Sequence, residues 1–182
     1  VFANLGYISR APFFSGGAFL SSTVSNQINP DAVNEKVFST ELGYTYHNAA
    51  FTFNLNAYRT QWSDKTMARS FDITDENGNP DRATINMQGV NSVHSGIEAE
   101  IDYKPVKWFA LRGMLSLGNW IWTNDPIGYF YNSGGQPITK DKTVASGIQA
   151  PDHASMTLIQ KDVKEGGAAQ FPTSLGVTLY PR

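Results

Sequence analysis

The residues of this sequence best placed to do chemistry are four carboxylates at alternate positions of strand-like runs. Glu98, Glu100 and Asp102 alternate with apolar residues, and Glu41 holds the matching polar position of an earlier run. Two carboxylates can act as general acid and base, but only within a cleft that also supplies a partner base. The sequence indicates neither. We therefore interpret these four residues as part of the polar face of a sheet, which either lines a barrel lumen or is exposed to solvent.

The second candidate group is aromatic and lies around the end of the longest strand-like run. It comprises Trp120, Trp122, Tyr129, Phe130 and Tyr131. Their rings could stack on a sugar ring or on an aromatic ligand. The same residues would suit an aromatic belt at a membrane interface, combined with loop packing. The pattern favours the belt, and these five residues are the candidates for ligand contact.

The histidines give no sign of a metal centre. His47, His94 and His153 are far apart in the sequence and share no ligand spacing. The chain has no cysteine, which excludes thiolate metal sites and disulfides. We therefore expect these histidines at interfaces or in loops, and we predict no cofactor.

One run of alternating oxygen ligands resembles a calcium loop. It contains Asp75, Asn77, Asn79 and Asp81. An EF-hand loop needs glycine at its sixth position and glutamate at its twelfth, whereas Gly78 is fourth here. Asn-Gly is the strongest short signal for a hairpin turn, so the run predicts a hairpin tip rather than a metal site.

These candidates depend on two long strands within residues 89–123. Apolar and polar residues alternate on both sides of a short turn at 104–107, which is the period of a strand. The second run, 110–122, is longer than the roughly 5–6 residues typical of globular strands. Outer-membrane strands need about 9–11 alternating residues. The length therefore favours strands that cross a bilayer.

The rest of the chain predicts further strands with connections of alternating length. Six strands are expected, near residues 1–8, 37–47, 51–59, 96–103, 108–122 and 169–180. The connections run long, short, long, short, long, and aromatic residues gather at the short-turn end, as in outer-membrane barrels. Within the long connections we predict a projecting hairpin at 65–88 and a second short hairpin around 154–163.

Composition agrees with an all-β chain and narrows the possible partners. Hydrophobic residues make up 41% and no apolar run approaches the roughly 18 residues of a membrane helix. Charged residues are 16%, below the approximately 25% of soluble domains, and aromatic residues reach 13%. The net charge of −2 gives no reason to expect nucleic acid. The sequence begins within one predicted strand and stops just after another, so we expect an internal piece of a longer protein.

Several segments resemble a known family. Residues 34–44 (NEKVFSTELGY), 54–65 (NLNAYRTQWSDK) and 89–100 (GVNSVHSGIEAE) resemble the C-terminal half of the barrel in TonB-dependent outer-membrane receptors, most closely the Bacteroidetes branch. Residues 115–122 (LSLGNWIW) and 174–181 (SLGVTLYP) fit the same pattern. The resemblance implies that 1–182 is part of a transmembrane barrel of about 22 strands, without its plug domain, TonB box and remaining strands.

The resemblance also implies a function and partners. Such receptors lie in the bacterial outer membrane and take up scarce nutrients such as iron–siderophore complexes, vitamins or glycans. The implied partners are outer-membrane lipid, the receptor's own plug domain, TonB and a small nutrient ligand. The carboxylates Glu41, Glu98, Glu100 and Asp102 would then line the lumen and meet basic groups of the plug.

Two other classes of protein, a soluble binding module and an enzyme, are alternatives to a receptor. A soluble or surface all-β binding module would share the alternating pattern but would stay dispersed without detergent. An enzyme would need a nucleophile and a base on one face, and neither Ser116 nor Ser174 has a histidine placed to serve it. We therefore expect no enzyme activity. If the piece were made alone, its two unpaired strand edges would promote self-association.

Overall fold

A computed structural model describes residues 1–14, 16–19, 28–29, 31–74, 77–139 and 152–181. No helix among these residues is long and apolar enough to cross a membrane. The described residues form eight strands: β1 (Phe2–Arg10), β2 (Glu35–His47), β3 (Phe51–Thr74), β4 (Pro80–Val106), β5 (Phe109–Trp122), β6 (Ile127–Tyr131), β7 (Ser155–Thr157) and β8 (Thr173–Leu179).

The main sheet is an antiparallel meander with the strand order β1-β2-β3-β4-β5-β8, which confirms the predicted fold class. Both short connections are tight turns. Between β2 and β3, the side-chain oxygen of Asn48 accepts hydrogen bonds from the backbone N–H groups of Ala50 and Phe51, each at 2.9 Å. This side-chain cap lets a chain of alternating residues reverse within three residues.

The two central strands are much longer than the sequence suggests. The hairpin predicted at 65–88 is present, but it continues β3 and β4 rather than forming an element of its own, and Phe71 pairs with Ala83 near its tip. Gly78 supplies a φ of 82° at the turn. Two register shifts interrupt the regular pairing between Trp62 and Met67. These shifts break the alternation of apolar and polar residues along the sequence, so the sequence did not predict that β3 and β4 continue through this region. Asp75 of the calcium-like run lies outside the described residues.

The second predicted hairpin, around 154–163, is wrong. β7 pairs with β6, and β6 in turn pairs with β4 where β5 has ended. The last strand begins at Thr173 rather than near residue 169, although backbone bonds to β5 continue through Pro172 and Gln170. Proline lacks an N–H group and so interrupts the ladder at that point.

The sheet has two chemically different faces, which we call the apolar face and the polar face. On the apolar face, Ile97 and Leu117 are neighbours and are 50% and 48% exposed, and Leu175 on β8 is 75% exposed. The polar face carries hydroxyl, amide and carboxylate side chains of the alternate residues. The buried apolar cluster is small and lies at the long-loop end, around Ile85, Met87 and Val90.

Aromatic rings gather at the short-turn end, as expected. Phe51 lies 6.2 Å from both Tyr46 and Tyr103, measured between ring centroids. The Lys104 ammonium group lies 4.6 Å from the ring centre of Tyr180. This combination of aromatic rings with a lysine is typical of a membrane interface.

Replacing Gly96 by alanine tests the packing of the polar face. An added Cβ atom would lie 2.6 Å from the Tyr58 hydroxyl and 2.7 Å from the Leu117 carbonyl oxygen. A backbone oxygen in a paired strand has little room to move, so we expect Gly96→Ala to lower the free energy of unfolding by about 1–3 kcal/mol. Urea unfolding in detergent micelles, which cover the apolar face, measures this change.

Gly176→Ala is the matched control, because it also lies on the polar face of a strand and its added Cβ would meet nothing within 4 Å. Equal unfolding free energies for the two variants would contradict the observed packing of β3, β4 and β5.

Candidate functional site

The four candidate carboxylates share the polar face, in two neighbourhoods. Glu98, Glu100 and Asp102 follow one another along β4, and Glu41 lies on β2, two strands away. Glu41 accepts hydrogen bonds from the side-chain amides of Asn4, at 2.9 Å, and of Asn56. It is therefore a structural link across three strands.

The three carboxylates of β4 are less tightly held. Asp102 accepts a hydrogen bond from Arg112 Nε at 3.1 Å, and Glu98 accepts one from Ser116 at 3.5 Å. Glu100 has no hydrogen-bond or ion-pair partner among the described residues. Together with Asp102 and Arg112 it lines a shallow depression of about 490 Å³. This region can therefore attract cations.

A bulge in β3 brings a lysine onto the polar face. Trp62 pairs with Ser92 and Lys65 pairs with Val90, so two residues of β3 face one of β4. Asp64 has a φ of 60°, and its N–H donates to the side-chain oxygen of Asn91 at 2.9 Å. In a regular strand without a bulge, Lys65 would lie three positions after Trp62 and therefore on the opposite face.

The bulge completes a group that we call the indole cluster, formed by Trp62, Lys65, His94, Trp120, Trp122 and Glu165. The Lys65 ammonium group lies 5.5 Å from the Trp62 ring centre and 4.9 Å from that of Trp122. His94 stacks on Trp120, with 5.1 Å between ring centroids. Cation–π contacts of this kind are strongest where water is partly excluded.

Glu165 contacts both Lys65 and His94 of the indole cluster. Its two carboxylate oxygens lie 3.4 Å from Lys65 Nζ and 2.7 Å from His94 Nε2. The three side chains are between 18% and 22% exposed. Burial raises the pKa of Glu165, but the hydrogen bond from His94 and the positive charge of Lys65 outweigh burial, so the pKa lies below its ordinary value.

Glu165 belongs to the segment between β7 and β8, which follows the edge of β5. Its N–H donates to the Trp120 carbonyl oxygen at 2.8 Å, and Gly118 N–H donates to the Gln170 carbonyl oxygen at 2.7 Å. Trp120 Nε1 also donates to the Tyr58 hydroxyl at 3.0 Å. Backbone pairing thus places Glu165 opposite the polar-face side chains of β3 and β4.

The five aromatic candidates do not form one cluster. Trp120 and Trp122 lie at the long-loop end of β5, within the strand predicted at 108–122, and their side chains are on the polar face. Tyr129 and Tyr131, on β6, flank His153 at centroid distances of 5.0 and 4.9 Å. Burial raises the pKa of Tyr131 to about 12.

The fifth aromatic candidate, Phe130, serves the buried cluster at the long-loop end. Its ring packs edge-on against Phe71 at 5.8 Å and also against the apolar core. A side chain in this position supports the fold of the long hairpin. It is therefore less suited to ligand contact than the rings on the polar face.

The histidines occupy three different settings. His94 lies within β4 rather than in a loop. His47 ends β2, where its ring bonds the Thr52 hydroxyl at 2.8 Å, and His153 Nε2 lies 2.7 Å from the Phe130 carbonyl oxygen. Within the described ranges, no group of three or more histidine, aspartate or glutamate side chains could hold a metal ion.

Sequence reasoning missed Trp62, Lys65 and Glu165. Trp62 follows the alternation of polar residues along β3, so its place on the polar face could have been predicted from the sequence. Lys65 changes face only because of the bulge, and Glu165 is brought in from a segment without strand periodicity. Neither position could be predicted from the neighbouring residues in the sequence.

The ion pairs of Glu165 predict a dependence of stability on pH. Because the pKa of Glu165 is lower in the folded protein, its contribution is fully present above the ordinary glutamate pKa of 4.5. The contribution disappears as the pH falls through the lower folded value. We expect Glu165→Gln to lower the free energy of unfolding by about 1–3 kcal/mol at neutral pH and by progressively less in acid. Urea titrations in micelles at several pH values measure the difference.

Glu100→Gln is the control for this titration, since it also removes one carboxylate from the polar face but breaks no contact among the described residues. A Glu165→Gln effect that stays constant down to strongly acid pH would show that the ion pairs are not its source.

Comparison with known proteins gives one match. A family model described as "TonB dependent receptor-like, beta-barrel" matches residues 1–157, which include β1 to β7. A search of curated proteins and a search of solved structures found no match. The match confirms the resemblance seen in the sequence, whereas the Bacteroidetes branch stays a prediction. Members of this family are transporters rather than enzymes. Because the match covers most of the chain and the sheet is an antiparallel meander, the chain belongs to the TonB-dependent receptor-like β-barrel family of the bacterial outer membrane.

Proposed function

We propose that this chain forms part of the wall of an outer-membrane transporter for the active uptake of a scarce nutrient: an iron–siderophore complex, a vitamin or a glycan. The observation that carries the proposal is the exposed apolar face, together with the family match. The chain itself has no catalytic role in this proposal and needs no cofactor.

The apolar face is difficult to reconcile with a soluble protein. Large apolar side chains are exposed on every strand of the meander, including Leu5, Leu42, Leu55, Ile97, Leu117 and Leu175. Covering one such side chain fully is worth about 1.5–3 kcal/mol, and soluble monomers rarely expose a contiguous patch of this kind. Hydrocarbon would cover all of them at once, which supports strands that cross a bilayer.

The polar face would then line the barrel lumen. Charged side chains are costly at the lipid-facing side of a barrel strand, so Glu41, Glu98, Glu100 and Asp102 favour a lumen position. Glu100, which lacks a partner among the described residues, is the best placed to meet a basic group of a plug domain. Such a plug would respond to TonB, which supplies energy from the inner membrane.

The observed strand order supports a larger barrel. β1 and β8 lie at opposite ends of the main sheet, and strand number and shear together set the size of a closed barrel. We infer that residues 1–182 form one part of a barrel domain, and that further strands pair with β1 and β8. The pairing would also remove the two edges that otherwise promote self-association.

Cargo would bind at the long-loop end. Trp120 and Trp122 lie there on the polar face, and Tyr129 and Tyr131 lie on the neighbouring β6. Rings in these positions can stack on a sugar or on an aromatic siderophore group. Binding at this end would precede a rearrangement of the plug.

Arginine substitutions at adjacent residues test which face meets lipid. Ile97 and Glu98 are successive, both exposed, and on opposite faces. We expect Ile97→Arg to lower the free energy of unfolding in phospholipid vesicles by about 2–4 kcal/mol, and Glu98→Arg to have a much smaller effect. Urea titration of the vesicle-bound protein measures both. If Ile97→Arg folded as well as Glu98→Arg, and both stayed dispersed without detergent, a soluble all-β module would replace the transporter.

Disrupting the gene tests uptake directly. We expect the disrupted strain to grow poorly when one nutrient is limiting, among iron–siderophore complexes, vitamins and glycans, and to recover when the intact gene is restored. A gene carrying Trp120→Ala and Trp122→Ala should restore growth only in part, whereas Trp108→Ala, in the turn that precedes the opposite end of β5, should restore it fully. Normal growth of the disrupted strain on every nutrient class would contradict the proposal.

A further inference from the structure

We propose that Lys65, His94 and the three indole rings around them form a binding site for a carboxylate attached to a ring, and that the chain's own Glu165 occupies this site until such a ligand displaces it. The inference names a class of cargo and in that respect rests on the proposed uptake function. The binding step itself can be tested on the protein without transport.

Recognition of the carboxylate follows from the donors around Glu165. Lys65 Nζ faces one oxygen at 3.4 Å and His94 Nε2 faces the other at 2.7 Å. The two donors come from neighbouring strands, β3 and β4, whose backbones are paired. A rigid pair of donors that contacts both oxygens of one carboxylate is suited to any other carboxylate of the same geometry.

Recognition of a ring follows from the aromatic side chains that frame these donors. The Lys65 ammonium group lies over the faces of Trp62 and Trp122, and the His94 ring stacks on Trp120. A ring attached to the carboxylate would therefore meet aromatic surfaces next to the charges. The Nε1 atom of Trp62 is buried and makes no hydrogen bond within the described residues, so the site also holds one spare donor.

Glu165 can leave the site without unfolding its surroundings. Its backbone is held separately, by the N–H bond to Trp120, so rotation of the side chain is enough to expose both donors. Gly166 and Gly167 follow it, and a Cβ atom on either would meet nothing within 4 Å. The side chain is 18% exposed, so water and small solutes reach it.

The other charged groups on this segment do not compete for the site. Lys164, the preceding residue, donates to the Asn119 side chain rather than to Glu165. Asp125, between β5 and β6, accepts hydrogen bonds from the N–H groups of Gln160 and Lys161 and so holds the part of the segment that precedes Glu165. The titratable side chains that face Glu165 are therefore Lys65, from β3, and His94, from β4.

Tryptophan emission can report binding at this site. The chain has four tryptophans, and three belong to the indole cluster. In a Trp108→Phe background, the emission therefore comes from the site alone. The protein in detergent micelles is titrated with benzoate, with benzamide as the uncharged aromatic probe, and with cyclohexanecarboxylate as the non-aromatic carboxylate.

We expect benzoate to bind most tightly and benzamide least, because only benzoate offers both the charge and the aromatic ring. Removing the internal carboxylate with Glu165→Gln or Glu165→Ala should raise the benzoate affinity by roughly tenfold. Lys65→Met and His94→Asn should each abolish binding, whereas Lys164→Met should change nothing. Circular dichroism of each variant checks that the strands are retained.

Two outcomes would overturn the inference. One is benzoate binding that is no tighter in the Glu165 variants than in the unaltered protein, and the other is equal affinity for benzoate and benzamide. Growth of the disrupted strain is scored separately. If the protein binds benzoate as expected but the disrupted strain grows normally on every nutrient class, the binding site is supported and the uptake function is contradicted.

Discussion

The structure depends on one constraint: every strand of the main sheet must present an apolar side chain to one side and a polar side chain to the other, while its backbone stays fully paired. Hydrocarbon offers no hydrogen bonds, so a strand in lipid must find all its partners in neighbouring strands. The meander supplies these partners for the four inner strands, and tight turns keep them in register. Once the register is set, the polar side chains of four strands fall on one face together.

The polar face changes character along its length. Near the short turns it carries carboxylates that are open or lightly bonded, such as Glu100 and Asp102. Towards the long loops it carries the indole cluster, where cations lie between aromatic rings and the residues are only partly exposed. Electrostatic interactions are stronger in this drier region because less water screens them. The chemistry best suited to ligand binding is therefore at the end where the long loops lie.

The long-loop end also holds most of the conventional packing among the described residues. β3 and β4 extend beyond the last paired residue of β5, and β6 takes its place beside β4. The core of Ile85, Met87 and Val90 forms there, supported by Phe130 and Trp122. Trp122 thus belongs both to this core and to the indole cluster, so the site is built on a packed support rather than on a free loop.

The sequence by itself determined the fold class, the short turns and the two faces of the sheet, because each is encoded in local alternation or turn chemistry. The family was indicated by the resemblance of several segments to known receptors, which the family match confirms. The alternation also indicated that the carboxylates of β4 share one face, as their register shows. The unbroken length of β3 and β4 could not be predicted, since two bulges interrupt the alternation. The indole cluster was decided only by the tertiary structure: a bulge brings Lys65 to the polar face, and Glu165 arrives 100 residues later in sequence. Contacts of that separation depend on which strands pair, and local residue patterns carry no information about them.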